Sequence, residues 1–261
     1  MLWNLGPAKA DGLAKVGITT ITQLAEADPN TLLGELTDAG IRHSMEDLRG
    51  WQAHIAAYRT QAPVVFNRLE VPEPPYYLLD TEYDTTNPTS NPIFLLAIGT
   101  VPPSGDLEKP RTWWAPTPEL EHQALVNLRE VIDDNPDWPI VTYHGSNADL
   151  PRLREAQHRF GIVDITEQIT VRHVDMFLAV KAALRLPTAQ LSLKAVEPFA
   201  GIEREGSLAD AESALAAYKR IRRRPDQGAI AALVTYAAED IVGLAEVLTY
   251  LREISGSVCS P

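Results

Sequence analysis

The chain has a single cysteine in 261 residues, Cys259 in the closing stretch SGSVCSP. That excludes an internal disulfide and any cysteine-based zinc site. The six histidines are scattered, and no two stand four residues apart, so the helical histidine pair of many zinc enzymes is missing as well. No apolar run approaches the roughly 20 residues of a bilayer span. The first residues, MLWNLGPAKADG, lack the basic start and long apolar stretch of a signal peptide. The expectation is a cytoplasmic protein without a membrane partner. Positive charge is scarce too: 23 Lys and Arg face 35 Asp and Glu, for a net charge of −12. Such a chain does not hold nucleic acid by bulk electrostatics, although bound cations or a local basic groove can reverse the sign at a site.

What remains is a normal globular composition, 45% hydrophobic and 22% charged, sufficient for one large or two modest domains. Residues 1 to 65 read as a small all-helical domain, with apolar positions at helical spacing in GLAKVGITTITQLAEADPNTLLGEL, a break at Gly17 and a cap at Asp28-Pro29. Four prolines among residues 63 to 75 mark a linker or an extended entry into a second domain, 66 to 255, followed by a flexible tail at 256 to 261. In that domain PPYYLLDTEYD, NPIFLLAIGTVPP and KPRTWWAP read as an antiparallel meander. ELEHQALVNLREVIDDNP is an amphipathic helix, WPIVTYHG a short buried strand and ADLPRLREAQHRFG a further helix. The rest, from VRHVDMFLAVKAALRL onward, reads as helix-rich. The fold class is α/β with a mixed sheet flanked by helices.

Several acids do not suit packing. In YYLLDTEYD alternate side chains share a face, so Asp80, Glu82 and Asp84 follow Leu78 onto one side of the sheet. An edge strand running into solvent would explain Asp84 well and the other two less. Asp149 follows a buried strand and a glycine-containing turn, the place where α/β proteins put working residues; a helix cap is the alternative. On a helical wheel, at about 100° per residue, Asp240 falls within roughly 20° of Leu233, inside an apolar stripe, with Tyr236 one turn earlier on the same side. Asp175, between Val174 and Met176, reads as an acid that opens a helix and pairs with a nearby arginine. One cause unites Asp80, Glu82, Asp149 and Asp240: a pair of hard divalent cations, Mg²⁺ or Mn²⁺, which take oxygen ligands and draw carboxylates together. Two such ions can activate a water and stabilise the leaving oxygen of a phosphodiester.

D-x-E on the first strand, Y-x-G-x-x-x-D after a later one and Y-x-x-x-D on a late helix together resemble the DEDD exonucleases of the ribonuclease H-like superfamily, in the subclass with a tyrosine in the third motif. LSLKAVEPFAGIER, residues 191 to 204, resembles the S-L-K-x-x-E segment of the predicted RecB-associated branch. The resemblance covers residues 70 to 253. It implies Asp80, Glu82 and Asp240 around one metal, and Asp80 with Asp149 at the second. Tyr236 orients the attacking water, in a 3′ to 5′ hydrolysis of DNA or RNA that releases nucleoside monophosphates from single-stranded 3′ ends. The second motif departs from the family pattern, with His144 where Asn is usual and Ala148 where Phe is usual. The alternative is a non-catalytic nucleic-acid-binding or scaffolding module that keeps the fold inside a larger repair or processing complex.

The first domain resembles a helix-hairpin-helix, LWNLGPAKADGLAKVGITTITQLAEAD, which implies backbone phosphate contacts around Gly6, Ala8 and Lys9, with Pro7 removing one amide donor. KRIRRRP, residues 219 to 225, is the one dense basic run, and Arg220, Arg222, Arg223 and Arg224 are candidates for phosphate contact; a helix C-terminus stabilised by cations is the alternative. His144 and Asn147, in the loop before Asp149, complete the set of nucleic-acid-binding candidates.

Overall fold

The computed structural model describes residues 2, 4–87, 91–162 and 166–256. Four helices come first: α1 (Pro7–Lys15), α2 (Ile21–Glu26), α3 (Pro29–Asp38) and α4 (Met45–Thr60). Their starts follow from local chemistry. The Thr20 hydroxyl and the Gln23 side chain form a reciprocal capping box for α2, Asp28 accepts from the Thr31 N–H ahead of α3, and Ser44 accepts from the Asp47 N–H ahead of α4. Their apolar faces close on a core of Leu13, Leu24, Leu32, Leu36, Leu48, Trp51 and Ile55.

A short strand β1 (Val64–Val65) leads to β2 (Tyr76–Tyr83), β3 (Ile93–Val101) and β4 (Arg111–Trp114), then α5 (Pro118–Asp133), β5 (Ile140–Thr142), α6 (Asp149–Phe160) and α7 (Thr166–Val171). After these come β6 (His173–Asp175), α8 (Met176–Ala183), β7 (Leu184–Arg185), α9 (Leu193–Val196), a 3₁₀ turn at Glu197–Ala200, α10 (Ala211–Arg223) and α11 (Gln227–Gly256). The chain divides into two compact units. One holds the described residues of Met1–Glu70, Leu178–Gly201 and Tyr250–Pro261; the other holds Val71–Phe177 and Ile202–Thr249. Of the expected tail, Gly256 closes α11, and residues 257–261, Cys259 among them, lie outside the described residues.

The second unit is built on a five-stranded sheet ordered β4-β3-β2-β5-β6. The pairs β2/β3 and β3/β4 are antiparallel, while β2/β5 and β5/β6 are parallel. This is the expected mixed sheet flanked by helices. Its parallel strand β5 is buried throughout, as a strand covered on both faces must be. One face, with Tyr77, Leu79, Leu96 and Ile98, packs on Leu125, Leu128 and Val131 of α5 and Leu150 and Leu153 of α6. On the other lies α11. The stretch from residue 171, expected to be helix-rich, also holds short strands. His173–Asp175 forms the edge strand β6 and Leu184–Arg185 pairs with β1, because short strands at a helix boundary leave no periodicity of their own.

By length and composition α11 is apolar enough to cross a membrane, which corrects the reading of the apolar runs. Its residues Leu233, Ala237, Ile241, Leu244, Val247 and Leu248 are buried in the fold, as in the core helix of a globular protein. Gly99 sets how closely α11 approaches. It pairs with Leu78 across β2/β3, and a Cβ there would lie 2.5 Å from Ile241 Cγ2 and 2.9 Å from Leu107 Cδ1. Gly99→Ala is therefore expected to cost about 1–3 kcal/mol of stability by overpacking, as read from urea denaturation; an unchanged midpoint would mean that α11 is not seated against β3.

Candidate metal centre

In register, Asp80 pairs with Ala97 and Glu82 with Leu95 of β3, and a register shift follows between Glu82 and Tyr83. The alternation of the strand delivers both carboxylates to the face covered by α11, where Asp240 faces them. One oxygen from each of Asp80, Glu82 and Asp240 can be chosen so that all lie within 4.8 Å of one another. Asp80 is half-buried, and Glu82 and Asp240 are buried. Three carboxylates so close repel strongly in a partly desolvated site. Their donor atoms are hard oxygens grouped closely enough to share a divalent cation, so the residues fit a metal ion of the Mg²⁺ or Mn²⁺ class. Asp84 does not join them: it is buried, and its Oδ1 accepts from the Thr86 N–H at 3.0 Å and from the Thr86 hydroxyl at 2.6 Å. The solvent-exposed edge expected for Asp84 is thus corrected to a closed turn.

Tyr236 is 2% exposed and lies one turn before Asp240 on α11. Burial, then the charges of Asp240, Glu82 and Asp80, push its phenol far above the usual tyrosine range. The hydroxyl keeps its proton, so it is a neutral hydrogen-bonding group rather than a base.

Asp149 opens α6 and is buried, but its Oδ1 is turned onto β2. It accepts from the Thr81 N–H at 2.8 Å and from the Thr81 hydroxyl at 2.6 Å. The cause lies in the sheet. Pairing of β2 with β5 runs only through Tyr77↔Ile140 and Leu78↔Val141, and beyond it the Thr81 N–H needs another acceptor. Thr81 therefore holds Asp149 beside the strand that carries Asp80 and Glu82, though not within their cluster. Burial raises the Asp149 carboxyl to about 6 against the lowering effect of the two Thr81 bonds, and the charge of Asp175 adds a smaller upward push.

The loop before Asp149 is tied down by Asp175, at the end of β6. Asp175 Oδ1 accepts from the N–H groups of His144 (2.8 Å) and Phe177 (3.1 Å), and Oδ2 from that of Ser146 (3.0 Å). This corrects the reading of Asp175 as an acid paired with arginine: its partners here are backbone amides. His144 takes a left-handed φ of 73° and sits edge-on to Phe177. A Cβ on Gly145 would collide with the Thr142 side chain, so only glycine lets the loop fold back on the strand. His144 and Asn147 are exposed on this loop.

Arg220, Arg222, Arg223 and Arg224 are exposed around the C-terminal end of α10, and Arg222 lies 5.9 Å from the Tyr218 ring centroid. The run thus lies where cations complement a helix C-terminus. In the first unit, Gly6 is the N-cap of α1 without a side-chain cap and Ala8 lies in its first turn. Lys9 pairs with Asp47 at 3.1 Å and stands 5.4 Å from the Trp51 ring centroid. Sequence reasoning missed Thr81, Glu239 and Arg204. Arg204 Nη1 lies 2.6 Å from Asp240 Oδ1, and Glu239 accepts from the backbone N–H groups of Glu205 and Gly206. None of the three stands out by periodicity; Arg204 in GIEREG signals only a polar loop.

The Asp149 shift makes stability depend on pH. Its folded-state pKa lies above the unfolded value, so between about pH 4 and pH 6 the folded protein binds the additional proton and stability falls as pH rises, by about 3 kcal/mol over the window. Asp149→Asn keeps an acceptor for Thr81 without the charge. With a chelator present, its pH–stability curve is expected to be flatter between pH 4 and pH 6, and its Tm at pH 7 higher than that of the parent; identical slopes would show that Asp149 is not desolvated.

Residues 77–252 match the family RNase_H_2, described as RNase_H superfamily. Among solved structures, the family B DNA polymerase from the hyperthermophilic archaeon Pyrobaculum calidifontis is similar at 17% identity with a TM-score of 0.49, covering 88% of this chain and 34% of that one. The chain thus spans about a third of that polymerase. Comparison with curated proteins finds no match. With more than half of its residues inside the family match and the three acids gathered at the face of a mixed sheet, the chain belongs to the RNase_H superfamily.

Proposed function

We propose that the chain is a metal-dependent nuclease of the DEDD type with a tyrosine in its third motif, cutting DNA or RNA from single-stranded 3′ ends and releasing nucleoside monophosphates. The observation that carries this reading is the convergence of Asp80, Glu82 and Asp240 to within 4.8 Å from positions up to 160 residues apart. A divalent cation held there supplies Lewis-acid stabilisation of a phosphodiester and a more acidic water. Asp80, Glu82 and Asp240 bind it, and Asp149 is the candidate for a second ion. Tyr236, kept neutral by burial and by the neighbouring acids, orients the attacking water. The four arginines of residues 220–224 and the loop of His144 and Asn147 offer contacts for the phosphate backbone and the terminal nucleotide. The helix-hairpin-helix resemblance of residues 1–65 supports an additional sequence-independent phosphate contact through Gly6 and Ala8, whereas Lys9 is engaged by Asp47.

A second reading, a binding module without catalysis, is favoured by one observation: Asp149 Oδ1 accepts both the Thr81 N–H and the Thr81 hydroxyl. The two separate in one assay. Purified protein with Mn²⁺ or Mg²⁺ is expected to shorten end-labelled single strands from the 3′ end, and Asp80→Ala to lower the rate about a hundredfold or more. Retention of strands on the parent protein without any cleavage would select the binding module; equal cleavage by parent and Asp80→Ala would remove the site assignment.

A further inference from the structure

Arg204 has no part in the nuclease chemistry above, yet its guanidinium meets one of the three acids. Arg204 Nη1 and Asp240 Oδ1 are 2.6 Å apart, with the two side chains 15% and 10% exposed. The pair is thus largely withdrawn from solvent, where screening is weak. The backbone that carries Arg204 is fastened independently. Glu239 Oε1 accepts from the Glu205 N–H at 3.1 Å and the Gly206 N–H at 2.7 Å, and a Cβ on Gly206 would run into the Glu239 carboxylate. Adjacent acids on α11 therefore divide the work: Glu239 fixes the loop, and Asp240 meets the side chain that the loop presents.

We propose that Arg204 is the resident counter-ion of the Asp80–Glu82–Asp240 cluster, holding the acids together in the cation-free protein and competing with a divalent cation for Asp240. This rests on the reading of the cluster as a metal centre. Three carboxylates within 4.8 Å require positive charge to remain together, and the guanidinium supplies it permanently, since it does not lose its proton in proteins. A divalent ion held by Asp240 would share that carboxylate with the guanidinium, a like charge. Because residues 205 and 206 are anchored by Glu239 rather than by the ion pair, the Arg204 side chain can leave Asp240 while the loop stays in place.

The test is a Mn²⁺ titration by calorimetry and thermal shift on the parent, Arg204→Gln, Arg204→Met and Arg204→Lys, with no nucleic acid present. The neutral variants are expected to have a lower Tm in chelator, a Mn²⁺ affinity higher by about tenfold, and a larger Tm gain on adding Mn²⁺. The lysine variant stays near the parent. A neutral variant that folds only with Mn²⁺ present supports the proposal equally; one that Mn²⁺ does not rescue overturns it. Equal or weaker Mn²⁺ binding by the neutral variants overturns the counter-ion role and leaves the nuclease reading standing. Absence of Mn²⁺ binding in every protein overturns both. Absence of cleavage by the parent in the separate assay on end-labelled strands, with Mn²⁺ binding intact, would sink the nuclease reading alone.

Discussion

Mutual repulsion among Asp80, Glu82 and Asp240 is the constraint on which the second unit turns. Carboxylates at this separation and burial do not gather unless something positive offsets them, and the fold brings them together from a strand and a helix that are distant in sequence. The scaffold around them is correspondingly firm. The strand β2 is central in the sheet, hydrogen-bonded to β3 along its length, and α11 is buried along the side that carries Tyr236 and Asp240. A glycine at position 99 lets that helix approach. Hydrophobic packing thus holds in place a cluster that electrostatics alone would disperse.

Around the cluster, polar groups fix neighbours rather than one another. Thr81 points away from the Asp80 face and holds Asp149; Asp175 holds the backbone of the loop that leads to Asp149; Glu239 holds the loop that carries Arg204. In each case a carboxylate accepts at least one backbone N–H at the end of a sheet strand or in a loop, where regular pairing has run out. These contacts convert flexible connections into defined positions for the side chains they carry. The acidity of the chain is in part this use of carboxylates as backbone acceptors.

The fold was largely legible because its long elements carry clear patterns. The apolar runs of β2 and β3 and the amphipathic α5 announce themselves, and the position of Asp240 inside an apolar stripe was readable from spacing alone. The short elements were not. β6 is three residues long and runs directly into α8, so no period of two has room to appear. Asp84 and Asp175 were misread for a related reason: each accepts from backbone amides, Asp84 from the Thr86 hydroxyl as well, and nothing in a side-chain pattern identifies which amide a turn will leave unpaired. Arg204 was invisible because a single arginine in a polar loop has many possible partners.

By itself the sequence determined the class of the sheet and the helical character of the N-terminal region. It also determined that Asp80 and Glu82 share a face, and that Tyr236 and Asp240 share another, since periods of two and of about 3.6 residues are local properties of the backbone. Only the tertiary structure decided that these two faces meet, that Asp149 turns to Thr81 instead of joining the three acids, and that Arg204 is the cation at Asp240. Those outcomes depend on which strands pair, where the pairing ends and how closely α11 can approach β3. They are set by packing and hydrogen-bond completion between segments that the chain order keeps far apart.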